Sequence, residues 1–210
     1  MLPSQHPPEA HSSDEWISVT DLMAGLLMVF ALLVIATLFQ LKQIEEQNRN
    51  KRVIVIQALQ EQFNAKGISA QINPETGDIT LLDSILFGYD ESKLSYKGVE
   101  FLKIFIPTYG ETLFKNLEIS DEITRIIIEG HTSSDGGIAY NMSLSLLRAN
   151  SVYRFIGTHA FPEQLEFMKK IQVSGRGMVD ANKEISEAAD RKVLFRMQFK
   201  SDEAFKTFLK

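Results

Sequence analysis

The chain has 210 residues, a net charge of −5 and no cysteine. That length holds one ordinary domain plus appendages. The charge balance carries no nucleic-acid footprint, and the absence of thiols excludes disulfides and cysteine-based metal centres while leaving the compartment open.

Residues 1–15 are rich in Pro, Ser and His and read as an unstructured tail. Trp16 stands where an interfacial aromatic anchor belongs. The eighteen residues from Leu22 to Phe39 carry no formal charge and are almost all apolar. At about 1.5 Å per residue they make ~27 Å of helix, close to a hydrocarbon core of ~30 Å. With their flanks they predict a transmembrane helix over 16–41. No Lys or Arg precedes the run and no small-x-small cleavage site follows it, so it reads as a retained anchor and not as a signal peptide. It has no polar face, which argues against a buried core helix.

Asp21 lies near the start of this run. Insertion scales put the cost of a carboxylate at mid-helix at about 2.5–3.5 kcal/mol, so the group needs a partner helix, a watery path or a proton. Ala24, Gly25 and Met28 fall on its side of a helix, and small residues there permit close helix approach. Position alone leaves two readings open: an ion carrier at a helix–helix interface, or an interfacial Asp that helps Ser18 and Thr20 start the helix.

Lys42 to Gln62 is full of helix formers and predicts a helical linker over 42–66. Its apolar stripe is Val53, Ile56 and Leu59, and it fits a solvated stalk as well as a dimer contact. Gly67 breaks it. Ile68–Ile72 and Ile79–Leu82 flank a turn-rich stretch and predict a β-hairpin. A helical apolar pattern covers Lys97–Phe114, interrupted by Pro107. Thr124–Glu129 reads as a strand, Ile138–Ile156 as an amphipathic helix, Pro162–Lys169 as a further helix, and Ile171–Ser174 and Lys192–Phe199 as the last strands. The predicted fold is α+β, a sandwich of one sheet and a helical layer over 67–200, followed by a tail at 201–210.

On the helix that begins at Ile138, Asn141, Leu144 and Arg148 share one narrow arc. Met142, Ala149, Val152 and Ile156 form the neighbouring arc predicted to pack on the sheet. The first set should then lie at the edge of the buried face, within reach of a ligand. Arginine suits two-pronged capture of a carboxylate, and asparagine offers both donor and acceptors. The competing reading is a structural network in which Arg148 pairs with a nearby acid. His131 has no second histidine at ligand spacing and reads as a structural strand-end residue, with no metal site expected. No nucleophile–base pair or paired carboxylates stand at catalytic spacing, so an enzyme is not expected.

Two stretches carry a family resemblance. Trp16-Ile17-Ser18-Val19-Thr20-Asp21-Leu22-Met23-Ala24-Gly25 resembles the membrane segment of MotB-type stator proteins, and is closer still to the ZorB-type members of Zorya anti-phage systems. Gly130-His131-Thr132-Ser133-Ser134-Asp135, followed by Asn141-Met142-Ser143-Leu144-Ser145-Leu146-Leu147-Arg148-Ala149, resembles the OmpA C-terminal-like peptidoglycan-binding domain. That family reads Gly-His-Thr-Asp and then Asn-x-x-Leu-Ser-x-x-Arg-Ala. Phe87 to Leu94, Gly175-Arg176-Gly177 and Arg191-Lys192-Val193 resemble its flanking segments.

The resemblance implies a peptidoglycan-anchored subunit of a proton-driven inner-membrane motor in anti-phage defence. Asp21 would carry protons at the interface with a multi-pass partner resembling MotA or ZorA, with this chain present as a homodimer and no cofactor. Peptidoglycan would be held by Tyr140, Asn141, Leu144 and Arg148, with Ser133 and Asp135. In the family, the acid after Gly-His-Thr and the helix arginine together hold the diaminopimelate end of the stem peptide. Here Ser133 stands at that position, and the contact would fall either to Asp135, two residues on, or to Ser133 itself with backbone groups. The alternatives are a passive OmpA-like wall tether without ion conduction and a flagellar-type stator subunit. Lys42, Arg49, Lys51 and Arg52 follow the helix, and the positive-inside bias would put that side in the cytoplasm. Wall binding demands the reverse, a cytoplasmic tail and a periplasmic domain, and that is the orientation expected.

Overall fold

The computed structural model describes residues 12–182 and 184–202. The expected tails therefore lie largely outside the described residues. The chain divides between Gln47 and Asn48 into two compact units.

The first unit is the N-terminal part of helix α1 (Ser12–Lys66). The helix begins at Ser12, upstream of the expected start at residue 16. From Val19 to Gln47 every residue is exposed. Leu22, Leu26, Phe30 and Phe39 all turn apolar surface outward, which is costly in water and free in lipid. This is the one helix among the described residues long and apolar enough to cross a membrane.

The second unit holds the sheet. Its strands are β1 (Gln71–Ile72), β2 (Ile79–Leu82), β3 (Ile123–His131), β4 (Ile171–Gly177) and β5 (Lys192–Phe199), in the order β1-β2-β5-β3-β4. All pairs are antiparallel except β3 with β4. A parallel pair needs a crossover, and the crossover consists of α5 (Ile138–Thr158) and α6 (Gln164–Lys170). The short helix α2 (Asp83–Leu86), the long α3 (Tyr96–Phe114) and α4 (Leu117–Glu122) fill the stretch between β2 and β3. The expected α+β architecture stands. Pro107 sits inside α3 without ending it, and the strand expected over 68–72 shrinks to two paired residues.

Side chains alternate across a strand. Ile126 and Ile128 of β3 and Val193, Phe195 and Met197 of β5 join one core with Leu102, Phe105, Ile106 and Tyr109 of α3 and Val152 and Ile156 of α5. Helix α3 starts cleanly because Ser95 Oγ accepts from Gly98 N at 3.0 Å, satisfying an otherwise orphaned donor.

The linker expectation needs correction. Residues 48–66 belong to the folded unit. Val55, Leu59 and Phe63 are members of the core, Ile56 is buried beside them, and the Phe63 ring lies 5.4 Å from that of Phe105. Val53, assigned to the apolar stripe, is exposed. The segment is neither a solvated stalk nor an appendage: it is a wall of the domain.

Candidate functional site

Helix α5 is seated unusually close to the sheet. A Cβ at Gly130 would collide with the backbone carbonyl oxygen of Ser145, and one at Gly175 would stand 2.8 Å from Leu146 N. Ser145 Oγ fixes the seat by accepting from Gly177 N at 2.9 Å and donating to Met142 O at 2.8 Å. The ends of β3 and β4 and the first turns of α5 therefore meet at one place.

The loop between them is held from α5. Thr132 N donates to Gly177 O at 2.9 Å. Asn141 Nδ2 donates to the backbone oxygen of Asp135 at 2.7 Å. The Asp135 carboxylate accepts from Ser133 Oγ at 3.4 Å and from Ser186 Oγ, which arrives from the loop after β4. Ser133 is buried and Asp135 is exposed. Asp135 thus lies at the surface two residues after Ser133, on a loop whose backbone Asn141 grips.

Two turns further along α5 lies Arg148, only 2% exposed. Its Nε donates to Glu91 O at 2.9 Å, its Nη2 stands 3.2 Å from Asp83 Oδ2, and its guanidinium lies over the Phe87 ring at 5.4 Å. Arg191 Nε is 3.7 Å from the same Asp83 oxygen. Burial pushes the Asp83 carboxyl up and the Arg148 guanidinium down, each against the attraction of the other. Both charges are thus held in a place that disfavours charge. Arg148 Nη1, Asp83 Oδ1 and Thr132 Oγ1 are buried with no hydrogen-bond partner. Such orphans are uncommon in folded proteins and each leaves desolvation uncompensated.

These positions change two expectations. Asn141, Leu144 and Arg148 share an arc, but the arc faces inward and all three are buried. Met142, expected on the sheet, is exposed, and Ser145 takes the inward place. The reading of Arg148 as the partner of a nearby acid is met by Asp83, which sequence reasoning passed over. An aspartate directly after the apolar run Ile79–Leu82 was the available signal. Tyr140 stays on the surface and donates to Asp90 Oδ1 at 2.8 Å.

His131 is buried at the end of β3 with Nε2 3.0 Å from Glu129 Oε1 and Nδ1 3.6 Å from Asp180 Oδ2. Arg196 Nη2 shares Glu129 at 3.3 Å. Burial lowers the His131 pKa, against the pull of Glu129. Among the described residues no group of three or more potential ligands gathers around a metal-sized space.

In the first unit, Asp21 opens onto a furrow of α1 lined by Val19, Leu22, Gly25, Leu26 and Val29. Gly25 lies beside it as expected, and a Cβ there would meet nothing within 4 Å. Ala24 and Met28 do not line this furrow.

Residues 86–193 match the OmpA family. Two curated relatives are each named Zorya protein ZorB. One, from Escherichia coli strain Crooks, is 31% identical over 175 residues, covering 74% of this chain and 73% of the relative. The other, from Escherichia coli O139:H28, is 29% identical over 199 residues, covering 88% and 80%. Among solved structures, a putative MotB like protein from Desulfovibrio vulgaris aligns with a TM-score of 0.56 at 17% identity, over 74% of this chain and 95% of that one. That likeness concerns the fold.

Proposed function

From the premise that this chain belongs to the OmpA family, with ZorB relatives over most of its length, we propose that it anchors a proton-driven inner-membrane complex of anti-phage defence to peptidoglycan. The observation that carries the anchor is the site around Arg148: a buried guanidinium with one nitrogen unpaired, in the family's own domain. A stem-peptide carboxylate is the partner chemistry that nitrogen suits. Asp135, exposed and tied to Ser133 and Asn141, is the acid that receives the amine in place of the one missing at Ser133.

The site is closed in this structure, because Arg148 is covered. Ligand entry requires a shift of the segment around Glu91, whose carbonyl Arg148 holds. Leu144 and Asn141 keep the floor in place, and Tyr140 forms the rim.

The motor half of the proposal rests on Asp21 in its furrow on an exposed apolar helix. A carboxylate in hydrocarbon is costly, and a partner helix can supply the group that offsets it. The partner would be a multi-pass protein of the MotA or ZorA kind, with two copies of this chain inside the assembly. The tail would be cytoplasmic and the domain periplasmic, against the charge bias of Lys42 to Arg52.

The test is retention on purified sacculi. The full chain should be retained, and Arg148→Lys, which keeps the charge and loses the fork, should be retained at least tenfold less, with Asp135→Asn intermediate. Undiminished retention of both variants would remove this site from the anchor. Protease added to spheroplasts should digest the domain; full protection would reverse the orientation.

A further inference from the structure

The folded domain carries a groove that shares no lining residue with the Arg148 site. It encloses about 450 Å³ between residues 51–55 of α1, helix α4 and Lys200 just past β5. Ile54, Val55 and Ile119 make its lining apolar. Val55 is buried, whereas Ile54 is 56% exposed. Three acids, Glu118, Asp121 and Glu122, stand in it against two lysines, Lys51 and Lys200. Glu122 already engages Lys51 at 2.7 Å, so the surplus charge is acidic. A single exposed isoleucine on a surface means little. Its place in a concave, acid-rimmed groove matters because of what leaves the fold beside it.

Residues 200–202 are helical, and Asp202 is held through both carboxylate oxygens. Its Oδ2 accepts from Phe199 N at 3.0 Å, as an acid in the first turn does for the residue before the helix. Its Oδ1 pairs with Arg52 of α1, whose guanidinium also lies over the Phe199 ring at 4.6 Å. The chain beyond Asp202 therefore departs from beside residues 51–55. In sequence it continues Glu203-Ala204-Phe205-Lys206-Thr207-Phe208-Leu209-Lys210. Its large apolar residues, Phe205, Phe208 and Leu209, recur at three- and four-residue spacing. It carries two lysines against one acid.

We propose that residues 203–210 fill this groove, setting Phe205, Phe208 and Leu209 against Ile54 and Ile119, and Lys206 and Lys210 toward Glu118 and Asp121. Three features select this occupant. Phe205 and Leu209 lie three and seven residues past Asp202, so they reach no farther than about 10 and 25 Å from it in any conformation. The charges are complementary, an acidic groove against a basic segment. The tether is short, and a short tether gives an effective concentration on the order of millimolar, which a free partner with equal contacts does not match. Filled, the groove clasps residues 51–55 to α4 and to the end of β5.

The native chain has no cysteine, so Ile54→Cys in the full chain, in detergent, presents one thiol to a maleimide. Leu165→Cys, at a position 78% exposed on α6, is the reference. Ile54→Cys should react about tenfold more slowly than the reference, because reaction waits for local opening. Adding Phe205→Ser with Phe208→Ser should bring it to the reference rate. Lys206→Glu with Lys210→Glu, which turns the segment's charge against the groove without touching its apolar residues, should raise the rate part of the way. An unchanged Leu165→Cys rate and an unchanged far-ultraviolet circular dichroism spectrum report that the domain stays folded. Reaction of Ile54→Cys at the reference rate with the native segment overturns the proposal. So does protection that both sets of substitutions leave intact. Protection that disappears on dilution assigns the cover to a second copy of the chain and overturns it too.

Discussion

Arg148→Met tests whether the buried pair under the site stabilises the fold or is carried by it. In the native domain Asp83 has Arg148 Nη2 at 3.2 Å and Arg191 Nε at 3.7 Å. At an effective dielectric of about 20, one charge pair at that distance is worth ~5 kcal/mol. The variant does not lose all of it, because Asp83 takes up a proton instead of standing charged with the partly exposed Arg191 as its remaining partner. Protonating an ordinary aspartate near pH 7 costs about 1.4 × 3.1, or ~4 kcal/mol. That is the ceiling on the electrostatic loss, within the usual range of ~3–5 kcal/mol for breaking a buried pair. Near pH 5 the same ceiling falls to ~1.5 kcal/mol. At about 2–4 °C per kcal/mol, the melting temperature should drop by no more than ~8–16 °C near pH 7 and ~3–6 °C near pH 5, with the larger drop at pH 7. The sign follows from the raised Asp83 pKa. A carboxyl raised in the fold contributes stability that is complete below about pH 3.9 and is lost as pH rises through its folded pKa. Removing Arg148 raises that pKa further and deepens the loss. The double variant Asp83→Leu with Arg148→Met removes both buried charges and should recover to within ~1 kcal/mol of wild type or exceed it, while failing to bind sacculi. Thermal unfolding of the full chain by circular dichroism, run at both pH values, reads all of this. Equal drops at the two pH values, or a double variant as unstable as the single one, would refute the argument.

Three further outcomes follow from other parts of the chain. Asp21→Asn keeps size and hydrogen bonding but cannot cycle a proton, so protection of cells against phage should vanish while co-purification with the multi-pass partner persists; a fully assembled and fully active variant would leave only the passive tether. Phe63→Ala removes a core ring tilted against that of Phe105 and should cost about 3–5 kcal/mol in thermal unfolding, whereas a loss below ~1 kcal/mol would mean that residues 48–66 stand apart from the core. Gly130→Ala forces a methyl onto the Ser145 carbonyl and should prevent accumulation of folded protein, while Gly137→Ala, with nothing within 4 Å of its Cβ, should be silent; equal behaviour of the two would refute the close seating of α5.

The boundaries of β2, β5 and the start of α5 were legible because local signals set them. Ile79–Leu82 and Lys192–Phe199 are runs of strand formers bounded by polar residues, and Ile138 follows the breakers Gly136 and Gly137. What the periodicity of α5 cannot say is which way an arc faces. That helix carries two apolar stripes: Ala149, Val152 and Ile156 go into the core, while Ile138, Met142 and Leu146 stay exposed. A helical wheel groups Asn141, Leu144 and Arg148 correctly and still leaves their depth open. Depth is decided by Gly130 and Gly175, which let the helix sink until Arg148 is covered. The partners of Arg148 are equally remote from local pattern, since Asp83 and Glu91 lie 65 and 57 residues upstream along the chain. The same holds for residues 48–66, where Ile56 and Leu59 of the expected stripe are buried but the charged composition hides the core positions Val55 and Phe63 beside them. A polar helix is told from a buried one by the surface it meets, and here that surface comes from α3 and the sheet. The chemistry of the site was therefore readable as residue types, and its closure only as packing. On the proposed reading a ligand would displace contacts that the sequence never advertised, beginning with the bond from Arg148 to the carbonyl of Glu91.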